Sequence, residues 1–276
     1  IAEVVAGDAQ FSILLEALQQ ANLDGVLAGA GPFTVFAPTN AAFVAAGIDL
    51  ATISDEALSE TLLYHVLGAR VLSTDLGEGQ QYPSTSATTG PGNTALSILV
   101  ERAGTSVTVN GDVNVTTADI ITSNGVIHVV NQVLTPLNVV GHAAANSELS
   151  ALVGALGAAD GDLVDVLNGD GPFTVFAPLN SAFSAIQSTV DGLSTANLAK
   201  VLLYHVVAGA NVRSTGLMAG PVPTANSGEE LTIGLNPVTI TDSNPDNAYE
   251  PLLVDIQATN GVIHVLGNVL IPDNLD

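Results

Sequence analysis

The sequence predicts a duplicated domain in which helices precede and flank a set of short strands. Three observations carry that expectation. The stretch Gly31–Phe43 returns as Gly171–Phe183, 140 residues later, with only Thr39/Leu179 and Ala41/Ser181 different. Leu62-Leu63-Tyr64-His65-Val66 returns as Leu202-Leu203-Tyr204-His205-Val206 at the same offset. Asn124-Gly125-Val126-Ile127-His128-Val129 returns, letter for letter, as Asn260-Gly261-Val262-Ile263-His264-Val265. Self-similarity held over such a gap is the mark of internal repetition.

Each copy begins with helices. Phe11, Leu14, Leu15 and Leu18 recur at helical spacing, followed after Asn22 by Leu23, Val26 and Leu27. The second copy offers Leu149, Leu152, Val153 and Leu156, then Leu163, Val166 and Leu167, with two residues inserted near Ala158–Gly161. Gly29–Pro32 and Gly169–Pro172 turn the chain into the repeated strand. In that strand Phe33-Thr34-Val35-Phe36 alternates as a strand with a mostly apolar inward face, and Pro38 or Pro178 ends it. A helix follows, with Phe43 or Phe183 toward the core. Asn40 and Asn180 are its predicted N-caps, because Thr39 becomes Leu179 in the second copy. Ser54 and Thr195 are the predicted caps of the next helix.

The copies diverge beyond the Tyr-His pair. Short strands are expected at Leu96–Val100 and Val107–Val109, and at Leu231–Ile233 and Val238–Ile240. Asn110-Gly111 reads as a two-residue hairpin turn; the second copy has the longer loop Asp242–Pro251 instead. Asn124-Gly125 and Asn260-Gly261 read as hairpin turns into a closing core strand, with Pro136 or Pro272 beyond it. The boundary falls near Thr135–Asn138, giving domains 1–137 and 138–276.

Composition narrows the function. Four basic residues (Arg70, Arg102, Lys200, Arg213) face 27 acidic ones, a formal charge of −23. Such a chain repels nucleic acid and anionic lipid. Two readings of the charge stand: a solubilising surface for a salty or extracellular setting, or a surface that collects divalent cations. With only 11% charged residues, moderate salt fits better than brine. Without cysteine there is no disulfide or thiolate chemistry. Mean hydropathy is +0.45, yet no apolar run approaches the ~20 residues that span a bilayer, so no membrane insertion is expected. A first residue of Ile rather than Met predicts a processed or trimmed N-terminus.

The three repeated motifs resemble the fasciclin, or FAS1, family. Thr34–Phe43 and Thr174–Phe183 are similar to its first signature box, and Asn124–Val129 and Asn260–Val265 to its second. Tyr64-His65 and Tyr204-His205 resemble the Tyr-His pair between them, so the resemblance covers essentially the whole chain. It implies an α+β fold: two FAS1 domains, each a twisted β-sandwich wedge with helices packed on one side. It also implies a secreted or cell-surface protein that mediates adhesion through an extracellular protein or polysaccharide. Family contact segments lie around an Asp-Ile pair before the second box and around the Tyr-His pair. Here these are Asp119-Ile120, Asp255-Ile256, Tyr64-His65 and Tyr204-His205. The residues that flank the Asp-Ile pair in integrin-binding relatives are absent. Other members resemble carriers of carotenoids or similar apolar ligands, which is the alternative function.

Catalysis has little support in the sequence. Neither a nucleophile elbow, nor a phosphate loop, nor a zinc-protease helix occurs. His65, His128, His205 and His264 invite a metal or acid/base reading, but no carboxylate dyad or nucleophile recurs beside them, so buried structural histidines are expected. His142 is expected at the surface. Asp242, Asn244 and Asp246 alternate hard oxygen ligands in a pattern that suits Ca²⁺. Asn247 and Leu253 stand where an EF-hand needs Gly and Glu, so an ordinary Asx-rich turn competes with calcium. No other cofactor is expected.

Overall fold

The structure is a computed structural model that describes residues 1–275. The chain divides into two compact units, Ile1–Thr89 with Asn93–Pro136, and Leu137–Asp276 with Gly90–Gly92.

Unit 1 opens with helices α1 (Ala2–Gly7), α2 (Ser12–Gln20) and α3 (Asp24–Leu27). Strand β1 (Phe33–Pro38) leads to α4 (Asn40–Ala45) and α5 (Asp55–Tyr64). Six strands follow: β2 (Val66–Leu67), β3 (Gly79–Gln81), β4 (Val100–Ala103), β5 (Ser106–Val109), β6 (Val113–Thr122) and β7 (Gly125–Val130). They form one curled sheet in the order β2-β1-β7-β6-β5-β4-β3. Only β1 and β7 run parallel, in register from Phe33 opposite Gly125 to Pro38 opposite Val130.

Unit 2 repeats the plan with α6 (Val139–Ala145), α7 (Ser150–Ala158), α8 (Leu163–Asn168), β8 (Phe173–Pro178), α9 (Asn180–Ala185), α10 (Gln187–Val190) and α11 (Thr195–Tyr204). Its remaining strands are β9 (Val206–Ala208), β10 (Gly220–Pro223), β11 (Glu230–Gly234), β12 (Thr239–Thr241), β13 (Ala248–Tyr249), β14 (Leu253–Ala258) and β15 (Gly261–Leu266). Here there are two four-stranded sheets, β14-β15-β8-β9 and β10-β11-β12-β13. Again β8 and β15 are parallel.

The central strand is buried on both faces, not one. Val35 and Ala37 enter a core built with Phe11, Leu14, Leu18, Phe43 and Leu58 from the helices. Phe36 points the other way, into a core shared with Tyr64, Leu76, Val100 and Val130. Even Thr34 is fully enclosed. Its hydroxyl donates to the Ala69 carbonyl at 2.7 Å and accepts from the Val71 amide at 2.9 Å, so its burial costs no lost hydrogen bond. Thr174 does the same with Ala210 and Val212. A parallel pair covered on both sides explains why this strand repeats without change: every residue after the half-buried Phe33 is buried in unit 1, and all six are buried in unit 2.

Several local expectations are corrected. Thr39, not Asn40, caps α4, its hydroxyl accepting from the Ala42 amide, and α9 has Leu179 at that place with no side-chain cap. Asn40 reaches sideways instead. Its Oδ1 accepts from the Ile13 amide, while its Nδ2 donates to Ala9 O and Ser12 Oγ. Asn180 ties the start of α7 in the same way through Ala151, Ser147 and Ser150. Ser194 caps α11 rather than Thr195, matching Ser54 on α5. The β5–β6 connection has three residues, Asn110 to Asp112, because Val109 pairs with Val113. The closing hairpin turns are Ser123-Asn124 and Thr259-Asn260, one residue earlier than Asn-Gly, since Gly125 pairs with Thr122 and Gly261 with Ala258. Gly125 and Gly261 serve a different need: a Cβ there would collide with the carbonyl of Phe33 or Phe173 on the parallel partner. Leu96–Leu99 is buried but lies outside a regular strand, held by bonds to Pro83, Thr85 and Ala87.

Candidate functional site

The repeated polar residues converge on the seam between the first and second boxes. Asp119 and Asp255 occupy β-bulges, where the β6–β7 and β14–β15 registers shift. Both are left-handed, with φ of 61° and 65°, a conformation that Asp tolerates better than most residues. The turned backbone aims each carboxylate back at the chain. Asp119 accepts from the amide and hydroxyl of Ser73. Asp255 accepts from the Ser214 amide at 2.7 Å and hydroxyl at 2.6 Å, with Arg213 at 3.8 Å. Partial desolvation would raise the Asp119 carboxyl, but the Ser73 bonds, aided by His128 and Arg70, hold it below its usual range.

The histidines complete the seam. His128 Nδ1 accepts from the Asp119 amide at 3.2 Å, and its Nε2 donates to Val71 O at 2.9 Å. His264 repeats both bonds with Asp255 and Val212. His65 has the opposite tautomer. Its Nδ1 donates to Thr61 O at 2.7 Å, and its Nε2 accepts from the Leu134 amide at 2.8 Å. His205 does likewise with Val201 and Leu270. Burial pushes His65 and His205 down to about 4 and lowers His128 and His264, whose adjacent carboxylates oppose the shift. All four are therefore neutral at pH 7, each imidazole bridging two main-chain segments. Both nitrogens of each ring hold backbone, so none offers a free acid or base to a substrate.

The tyrosines are not bonded to these histidines. Tyr64 Oη donates to Ser97 O at 3.0 Å and accepts from Asn110 Nδ2 at 3.2 Å. Tyr204 Oη donates to Glu230 O at 2.9 Å. Both rings are fully buried, as are His65 and His205, so these four side chains give a partner no surface to touch. Ile256 is buried and Ile120 half-buried. The exposed residues beside the Asp-Ile pairs are ones that reading the sequence missed. Ile121 is 63% exposed, and Leu252, Leu253 and Val254 are 64%, 40% and 37% exposed. The unbroken apolar run before Asp255 was their one visible signal.

His142 is buried rather than at the surface. Desolvation takes it to about 4, opposed by a bond with the Gln257 backbone. In the Asp242–Asn247 loop, Asp242 Oδ1 accepts from the Asn244 amide at 3.0 Å and Asn244 Oδ1 from the Asp246 amide at 3.1 Å. These are successive Asx turns. Among the described residues no group of three His, Cys, Asp or Glu side chains is placed to hold a metal ion. No helix among them is long and apolar enough to cross a membrane.

Fold and seam together define a tandem of helix-covered β-wedges whose repeated polar residues fasten backbone to backbone. The Fasciclin domain profile matches residues 9–136 and 147–272, and the chain belongs to that family. It is 38% identical over 151 residues to Protein sll1483 of Synechocystis sp., covering 52% of this chain and 79% of that protein. It is 29% identical over 258 residues to human periostin, covering 89% of this chain but only 29% of periostin. Among solved structures it is similar to a FAS1 domain pair from the insect cell adhesion molecule Fasciclin I. That likeness has a TM-score of 0.56 at 19% identity, covering 95% of this chain and 97% of that one.

Proposed function

We propose that this chain is a non-enzymatic adhesion module, secreted or held at the cell surface, which contacts an extracellular protein or polysaccharide. The observation that carries the reading is the apolar strip Leu252–Val254 at the start of β14, which pairs on one side only and forms a sheet edge. Three consecutive exposed apolar residues make a contiguous patch, the kind of surface that marks an interaction site. The strip runs into Asp255-Ile256, and in unit 1 the exposed Ile121 lies on the other side of the pair, directly after Asp119-Ile120. Relatives add support: the similar solved pair comes from a cell adhesion molecule. The neutral, fully bonded histidines favour binding over catalysis.

A solid-phase attachment assay against matrix proteins and polysaccharides tests this. Leu252→Gln with Val254→Gln should weaken attachment about tenfold, the ratio for a pair of apolar contacts worth ~1.4 kcal/mol, at unchanged melting temperature. Attachment unaffected by both would remove the strip from the contact surface.

A further inference from the structure

The two units carry different residues at one matching stretch of sheet edge. Leu252, Leu253 and Val254 stand just before the bulged Asp255, and Thr116, Thr117 and Ala118 stand just before the bulged Asp119. In unit 1, β5 pairs with β6 only at Val113 and Asn114, so the edge beyond is open there too. All six residues are exposed. Since unit 1 folds with two threonines and an alanine at these positions, the apolar side chains of unit 2 answer no need of the fold.

Geometry decides what can cover them. β14 is the last strand of its sheet, paired with β15 alone, and the free side of such a strand offers main-chain donors and acceptors to another chain. Successive side chains of a strand point to opposite faces, yet all three residues of the strip are exposed. A flat partner laid on one face would cover only part of it. An extended segment lying beside β14 covers both faces and pairs with its main chain as well. Pro251 and the bulge at Asp255 bound the open stretch, so the added strand is short.

Charge selects among extended segments. From Asp242 to Ala258 the chain holds Asp242, Asp246, Glu250 and Asp255 and no basic residue. The two bases of unit 2 are engaged, Lys200 with Asn274 O at 2.7 Å and Arg213 with Asp255 at 3.8 Å. A second copy of the chain would bring a charge of −23 against its like and meet repulsion, whereas a basic segment meets attraction. We propose that the β14 edge at Leu252–Val254 takes an added strand from a basic segment of a partner protein, in which Lys or Arg alternates with apolar residues. This inference rests on the adhesion reading and names the chemistry of its partner.

The test follows the fluorescence anisotropy of a dye-labelled hexapeptide of alternating Lys and Val on titration with the full chain. Wild type should bind it saturably. The triple variant Leu252→Thr, Leu253→Thr, Val254→Ala gives unit 2 the residues of unit 1 and leaves the charge unchanged. It should bind about tenfold more weakly at unchanged melting temperature. The same peptide N-methylated at every amide keeps its side chains and charge but has no main-chain N–H to donate, and it should lose binding, as should a peptide of alternating Glu and Val. No saturable binding by wild type, equal binding by the triple variant, or equal binding of either control peptide overturns the proposal. So does sedimentation of wild type as a dimer that the triple variant dissociates, which would make a second copy the occupant. If any of these occurs while Leu252→Gln with Val254→Gln still weakens attachment to matrix, the adhesion reading stands without this one.

Discussion

Unit 1 carries the ten-residue strand β6 from its closing hairpin to its outer hairpin, making one seven-stranded sheet. Unit 2 covers the same course with β13 and β14, separated by the break at 250–252, and its sheet splits in two. The central pairing does not change: Phe33 opposite Gly125 becomes Phe173 opposite Gly261, and every later pair follows. The difference follows burial. The central strands are enclosed on both faces, where a slip of one residue would exchange two cores. The outer hairpins face a core on one side only, so insertions are tolerated there.

The comparison can be broken at its centre. Phe36→Ala and Phe176→Ala should each cost roughly 3–5 kcal/mol, as truncation of a buried Phe does, and by similar amounts in the two units. Denaturant melts of both variants check this, and a clearly unequal pair would show that the centres are not equivalent. Acid probes the same centre. His65 and His205 are near 4 when folded against ~6.5 unfolded, so the unfolded chain takes up the proton first. Stability is full above pH ~6.5 and falls toward pH 4, by roughly 3 kcal/mol for each imidazole. His65→Gln and His205→Gln should flatten that slope equally in melts between pH 7 and pH 4.

Asp119→Ala and Asp255→Ala remove two hydrogen bonds each and leave Ala at positive φ, for an expected cost of about 1–3 kcal/mol. A thermal melt showing no loss in either would mean that the bulge holds without its carboxylate. Arg102→Ala removes the strap that donates to Leu76 O and Gly104 O and pairs with Glu78. It should cost about 1 kcal/mol or less in a thermal melt, in keeping with a part-exposed ion pair, and a clearly larger loss would show that the strap holds the unit 1 hairpin in place. The smallest effect is expected from Ca²⁺, because Asp242 and Asn244 already accept backbone amides. Melting in Ca²⁺ and in EDTA should agree, and a rise with Ca²⁺ would assign the ion to this loop.

The sequence made the centre readable and the periphery obscure. The boxes announced themselves because their doubly buried strands are identical in the two copies, and the same identity marked Tyr64, His65 and their copies. Identity alone could not say whether these residues face a partner or the main chain. That depends on Thr61, Leu134, Val71 and Ser73, which have no motif and lie up to 69 positions away. Asn40 misled for a related reason: a residue one step after a cap looks like a cap until its long-range partners Ala9 and Ile13 are known.

The parallel pairing of the boxes also governs how each unit comes into being. Phe33 and Gly125 lie 92 positions apart along the chain, so closing that loop costs about 4 kcal/mol of chain entropy before any pair forms. At ribosomal speeds of ~5–20 residues per second, the first box emerges roughly 5–20 s ahead of its partner. Through that interval β1 can pair only with β2, and β8 only with β9. In each unit a strand destined for burial on both faces thus waits with one edge open, twice in every nascent chain.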